Sequence, residues 1–245
     1  MMQYVLVTGA CGGIGSAVVE KLLAQGFGIW AVDRDEERLN SMYGNNGKVR
    51  YYRCEFESED AVKSLMSTVK DTTGALRGLV HCAGISNFSP IVTLKKNVML
   101  KVFDIHVFST MFLCSLLVKN DMAEDGCSVV LLSSIACHEG TGGNCIYAAA
   151  KGAVESFVVS AAHDFYEKGI RINAIAPGDV NTGMFKKFLN KLTDEQQVQR
   201  ESDYPAGFGQ SEDVANFVRF LISDESKWCV GQTYILDGGH SVRKV

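Results

Sequence analysis

Tyr147 and Lys151 stand four residues apart in Ile146-Tyr147-Ala148-Ala149-Ala150-Lys151, at the start of an Ala-rich helical stretch. That spacing puts the phenol and the ammonium on one helix face. A phenol with an ordinary pKa of about 10 is a poor base at neutral pH. A neighbouring cation favours the phenolate, which can then deprotonate an alcohol or, protonated, serve a ketone. By itself the pair is a common stacked surface couple, so its context decides. Thirteen residues earlier, the apolar run Val129-Val130-Leu131-Leu132 ends in Ser133-Ser134, and Ser134 is placed to hydrogen-bond a reacting oxygen. A further strand closes on Asn173-Ala174-Ile175-Ala176-Pro177-Gly178, with Thr182 just beyond. Hydroxyls and turns at strand ends are where α/β sheets assemble their sites.

A second constellation opens the chain. Val5-Leu6-Val7 leads into Thr8-Gly9-Ala10-Cys11-Gly12-Gly13-Ile14-Gly15 and then a helix stopped near Gln25-Gly26. A Gly-rich turn between strand and helix lets backbone approach a pyrophosphate, and the helix N-terminus supplies N–H donors. Three residues separate Gly9 from Gly13, so the spacing is not G-x-G-x-x-G. The next strand ends at Asp33, roughly 20 residues on, where a carboxylate accepts from the adenosine ribose diol and repels a 2′-phosphate. This favours NAD, although Arg34 beside it leaves NADP possible.

These groups need a scaffold of strand ends. Strands are expected at Tyr4–Val7, Gly28–Val32, Val49–Arg53, Leu79–His81, Ser128–Leu132, Arg171–Ala176 and Thr233–Leu236, separated by helix-length segments. Ser58 with Glu59 and Asp60, and Ser211 with Glu212 and Asp213, mark two helix starts. The alternation predicts an α/β doubly wound, mostly parallel seven-stranded sheet of Rossmann type with helices on both faces. Residues 1–245 read as a single NAD(P)-binding catalytic domain. The stretch 181–208 breaks the rhythm and carries Met184, Phe185, Phe188 and Leu189. It is either a substrate lid or an extra surface helix.

Composition narrows the class. Of 245 residues 47% are apolar, and the net charge of −4 argues against nucleic acid as a partner. The eight cysteines form no Cys-x-x-Cys pair, and several sit in apolar runs. They are expected to be reduced thiols of a cytoplasmic protein, with no metal site. No signal peptide is seen, and no run approaches the roughly 20 apolar residues of a membrane span, so no membrane partner is expected.

Together these residues resemble the classical short-chain dehydrogenase/reductase family over essentially the whole chain. The matches are Thr8-Gly9-x-x-x-Gly13-x-Gly15, Ala83-Gly84, Ser134, Tyr147-x-x-x-Lys151, Pro177-Gly178 and Asp237-Gly238-Gly239. The resemblance implies that Tyr147 is the acid/base, with Lys151 tuning it and holding the nicotinamide ribose. It implies Ser134 as donor to the substrate oxygen. Gly9, Gly13, Ile14, Gly15, Ala83 and Gly84 would border the cofactor, with Pro177, Gly178 and Thr182 at its nicotinamide end. It further implies a homo-oligomer, tetramer or dimer, built on two long helices matching residues 96–119 and 145–168.

Three departures stand out. His81 replaces the Asn that usually opens Asn-x-Ala-Gly, and Glu55 stands where an Asp near adenine is usual. His106 occupies the place of a fourth catalytic residue, an Asn that supports a water joining the Lys to solvent. Either the imidazole fills space while backbone suffices, or it joins the proton relay and titrates near neutral pH. The substrate pocket is expected from 85–90, 135–145 and the 181–208 segment, supplying Phe88, Cys137, His138, Cys145, Phe185 and Phe188. Such a lining suits a neutral, fairly apolar secondary alcohol or ketone. A 3-oxoacyl-[acyl-carrier-protein] reductase is the alternative, though the acidic 122–126 connection opposes an acidic carrier. A non-catalytic NAD-binding sensor or scaffold is the third reading.

Overall fold

The computed structural model describes residues 2–242. Its frame is one sheet of seven parallel strands, β1 (Tyr4–Thr8), β2 (Gly28–Asp33), β3 (Val49–Arg53), β4 (Leu76–His81), β5 (Ala123–Leu132), β6 (Arg171–Pro177) and β7 (Thr233–Leu236), in the order β3-β2-β1-β4-β5-β6-β7. The order reverses between β1 and β4, which opens a crevice at the C-terminal strand ends. The expected strands are all present.

Alternation of side chains along the central strands builds two cores. Leu6, Leu79, Val129, Leu131 and Ile172 face one side, under α3 (Glu59–Thr73), α5 (Ser109–Lys119) and α6 (Cys145–Tyr166). Val5, Val7, Val80, Val130 and Ile175 face the other, under α1 (Gly13–Ala24), α2 (Glu36–Tyr43) and α9 (Ser211–Ile222). Ser58 caps α3 by accepting from Ala61 N–H at 3.2 Å. The start of α9 is closed instead by Gln210, whose backbone N–H donates to Asp213 Oδ2 at 2.7 Å.

Two strands, β4 and β5, begin three and five residues before the expected Leu79 and Ser128. β5 takes in Ala123-Glu124-Asp125-Gly126, read from sequence as an acidic connection, because Ala123 pairs with Leu76 across a register shift. Gly126 absorbs the irregularity at φ +75°, and its carbonyl accepts from Arg77 Nη1. Arg171 is buried at the start of β6, donating to Ser226 O, Ser226 Oγ and Leu221 O at 3.0 Å each. It ties the end of α9 to the sheet and is not available to a carrier protein.

The predicted helix over 96–119 divides into α4 (Lys96–Phe103), a wide π-helical turn at Asp104–Phe108, and α5. The helix expected over 145–168 is α6, which ends at Tyr166. Residues 96–119 and 145–166 are long and apolar enough in mean hydropathy to cross a membrane, although charged residues interrupt both. Leu113, Leu117, Val154 and Val158 on these helices are buried in the core against the sheet.

Candidate active site

The Gly-rich turn joins β1 to α1 at the crevice, and its glycines are demanded by contact. Gly9 has φ +63°, and a Cβ there would lie 2.8 Å from the Ala83 nitrogen. A Cβ on Gly15 would strike the Gly9 carbonyl, and one on Gly13 would lie 2.8 Å from Thr182 Cγ2. The turn is thereby pressed against both Ala83-Gly84 and Thr182, three of the segments expected around one cofactor. Asp33 ends β2 beside it. Its Oδ2 accepts from Cys11 N–H at 3.0 Å and its Oδ1 from Asp35 N–H at 3.2 Å. Arg34 is exposed, and Arg38 donates to Cys11 O at 2.7 Å. Glu55 follows β3 at the same edge and pairs with Arg53 at 3.2 Å. A backbone cradle flanked by a strand-end carboxylate fits a dinucleotide.

Beyond the turn lies a cleft with a cavity volume of about 310 Å³. Ile14, Gly84, Ser134, Tyr147, Lys151, Pro177, Gly178 and Thr182 all border it. Tyr147 and Lys151 share a face of α6 as expected, the ammonium 5.6 Å from the phenol ring centroid. Lys151 is 5% exposed and donates to Leu132 O at 2.6 Å, and burial pulls it down to about 8. Burial pushes Tyr147 up to about 12, opposed by its hydrogen bond with the Ser134 hydroxyl. The lowering by Lys151 expected from spacing is thus not expressed here: burial of the phenol outweighs it, and the ammonium is engaged by a strand carbonyl.

Both histidine departures are buried. Thr8 Oγ1 accepts from Ala83 N–H at 3.1 Å, which leaves its own proton for His81 Nδ1 at 2.8 Å. His81 packs edge-on to Phe56, and burial takes it down to about 4. It lies behind the cleft wall. His106, on the π turn, has Nε2 2.8 Å from Ile85 O and 3.1 Å from Ile85 N, and its ring stands edge-on to Tyr147 at 5.3 Å. Burial holds it well below the usual histidine range, with the Lys151 charge adding to the effect. Burial thus favours the neutral imidazole and works against the near-neutral titration considered from sequence. Its carbonyl accepts from Thr110 Oγ1 at 2.8 Å.

The 181–208 segment folds as α7 (Gly183–Leu189) and α8 (Asp194–Ser202), and Met184, Phe185, Phe188 and Arg200 border the cleft. Thr182 caps α7 by accepting from Phe185 N–H at 3.3 Å. Arg200 Nε donates to Asp179 Oδ2 at 2.6 Å, and its guanidinium stands 5.9 Å from the rings of Phe188 and Tyr204. Sequence reasoning missed Asp179, Arg200 and Tyr204. Only the position of Asp179 directly after Pro177-Gly178 could have flagged any of them. Phe88, Phe185 and Phe188 line the cleft as expected, but Lys187 and Lys191 also reach its rim. Cys137, His138 and Cys145 do not line it. The short 3-10 turn at Ile135–Cys137 swings the first two toward Glu155 on α6, with His138 Nε2 3.1 Å from Glu155 Oε1.

Comparison with known proteins agrees with this geometry. The family model described as enoyl-(acyl carrier protein) reductase matches residues 9–241. The short-chain reductase protein NovJ of Streptomyces niveus is 31% identical over 242 residues, covering 96% of this chain and 92% of its own. The 3-oxoacyl-[acyl-carrier-protein] reductase FabG of Thermotoga maritima is 31% identical over 239 residues, 96% of either chain. A solved structure of ElxO with NADP bound superposes with a TM-score of 0.88 at 26% identity, covering 99% of this chain and all of that one. The cradle, the Ser–Tyr–Lys cleft and these matches along nearly the whole chain place it in the short-chain dehydrogenase/reductase family, as an oxidoreductase that uses a nicotinamide cofactor.

Proposed function

We propose that this chain is an NAD(H)-dependent oxidoreductase acting on a secondary alcohol or ketone, with Tyr147 as its acid/base. The observation that carries the reading is the convergence of Ser134, Tyr147 and Lys151 on one cleft beside the Gly-rich turn. The nicotinamide supplies or accepts the hydride. Ser134 donates to the substrate oxygen and orients it against Tyr147, whose hydroxyl gives up or takes the proton at that oxygen. Lys151, once drawn from Leu132 O to a ribose hydroxyl, brings its charge to the phenol and counters the burial that otherwise keeps it protonated. His106 positions the Ile85 loop beside Tyr147 through its bond to Ile85 O. Asp33, held by two backbone N–H groups, favours the diol of NAD over the 2′-phosphate of NADP. Residues 181–208 act as a lid: Phe185 and Phe188 offer an apolar wall while Asp179 and Arg200 latch α8 to the end of β6. A cytoplasmic homo-oligomer fits the family and the eight free thiols.

The 3-oxoacyl thioester reading is favoured by the likeness to the Thermotoga maritima FabG and by Lys187 and Lys191 at the cleft rim. Turnover of NADH and NADPH against a panel of ketones and 3-oxoacyl thioesters, with Tyr147→Phe as control, tests both. NADH-linked ketone turnover that vanishes in the variant supports the proposal. NADPH-linked thioester turnover moves the assignment to the second reading, and NADH binding without turnover on either class refutes catalysis.

A further inference from the structure

Outside the cleft, Glu155 Oε1 is the meeting point of three side chains. Ser133 Oγ lies 2.6 Å from it, Cys137 Sγ 3.2 Å and His138 Nε2 3.1 Å. One carboxylate oxygen thus gathers a hydroxyl, a thiol and a ring nitrogen around it, three groups of which two are metal-ligand types. The ligand atoms of Cys137, His138 and Glu155 all lie within 4.8 Å of one another. Around a tetrahedral zinc ion, with bonds of about 2.0 Å to N and O and 2.3 Å to S, neighbouring ligands stand roughly 3.3–3.6 Å apart. The two separations from Oε1 fall within a few tenths of an ångström of that range.

We propose that Cys137, His138 and Glu155 bind one zinc ion, with solvent completing the tetrahedron. The ion takes the place of the thiol proton, leaving Ser133 to donate to the carboxylate and fix its orientation. In the metal-free protein the Cys137 thiol donates to Ser134 O at 3.0 Å, a bond that gives way when the thiol loses its proton to the ion. Neutral imidazole binds directly, while the thiol releases its proton to solvent on binding. That thiol is otherwise held protonated, burial and the Glu155 contact pushing it up to about 11. Sequence spacing hid the site because Cys137 and His138 are adjacent and Glu155 lies on another element, one helical turn beyond Lys151. The ion would clamp the segment that carries Ser134 to the helix that carries Tyr147 and Lys151.

The test is metal binding, which stands apart from any turnover. Zinc is titrated into the full chain against a chromophoric chelator, with proton release measured in two buffers, and cobalt is added separately to read a thiolate charge-transfer band. One zinc per chain, about one proton released at pH 7.5 and a cobalt–thiolate band are expected in the wild type and in Cys145→Ser. His138→Ala and Glu155→Gln should each weaken binding by at least about 100-fold. His138 is exposed, so its variant folds irrespective of the outcome. No stoichiometric binding, equal binding in His138→Ala and Glu155→Gln, or loss of the site in Cys145→Ser overturns the proposal.

Discussion

Replacing Lys151 with Met should make the cofactor-free protein more stable while removing its activity. The ammonium sits 5% exposed with one carbonyl partner, and burial lowers it from 10.5 to about 8. That difference corresponds to about 3 kcal/mol of unfavourable charge burial at pH 7. Against it stands the hydrogen bond to Leu132 O, whose loss costs about 1–2 kcal/mol. The net is a gain of about 1–2 kcal/mol, or about 2–8 °C in Tm for a domain of this size. Between pH 8 and 10.5 the unfolded lysine binds a proton that the folded one has shed, so wild-type stability gains on the variant as pH rises through that window. Urea denaturation of both proteins from pH 7 to 10.5 measures this, and taking the difference removes the other titrating groups. A variant less stable than wild type at pH 7, or a difference that stays constant to pH 10.5, would refute the argument.

Asp33→Ala should lower kcat/KM for NADH by at least about tenfold, roughly 1.4 kcal/mol, and spare NADPH; an equal loss with both cofactors removes Asp33 from discrimination. His106→Asn should leave the pH–rate profile unmoved around neutrality, because burial favours the neutral form of the imidazole it removes. A shifted limb would restore histidine to the proton path. Gly9→Ala should cost more than about 2 kcal/mol of stability and abolish cofactor binding, since a side chain at φ +63° would also sit 2.8 Å from the Ala83 nitrogen. Chemical denaturation and cofactor titration check both effects.

Much of this was legible because local chemistry and fold point the same way. β-branched runs, cap residues and Gly-rich turns located the strands, and Tyr147-x-x-x-Lys151 with Ser134 located the chemistry. What escaped depends on contacts between distant segments. Nothing near Arg200 announces that Asp179, 21 residues earlier, will hold it. The direction taken by Cys137 and His138 follows from a three-residue 3-10 turn that hydropathy does not register. Likewise the protonation of Lys151 and His106 is a property of burial, which motif spacing does not encode.

The wide turn at Asp104–Phe108 also bears on how this chain is compared with others. A π turn holds one residue more than the α-helical path needs, so α4 and α5 are out of phase by about 100° relative to one unbroken helix. The carbonyls of Ile105 and His106 accept from the hydroxyls of Ser109 and Thr110, which makes the extra residue a settled part of the helix. An alignment drawn without a gap through 96–119 against a relative lacking the extra residue must therefore be wrong on one side of it. His106 lies within the π turn, where such an error would fall. Its apparent counterpart would shift by one position, and a substitution beside Tyr147 could pass for a change on the opposite side of the helix.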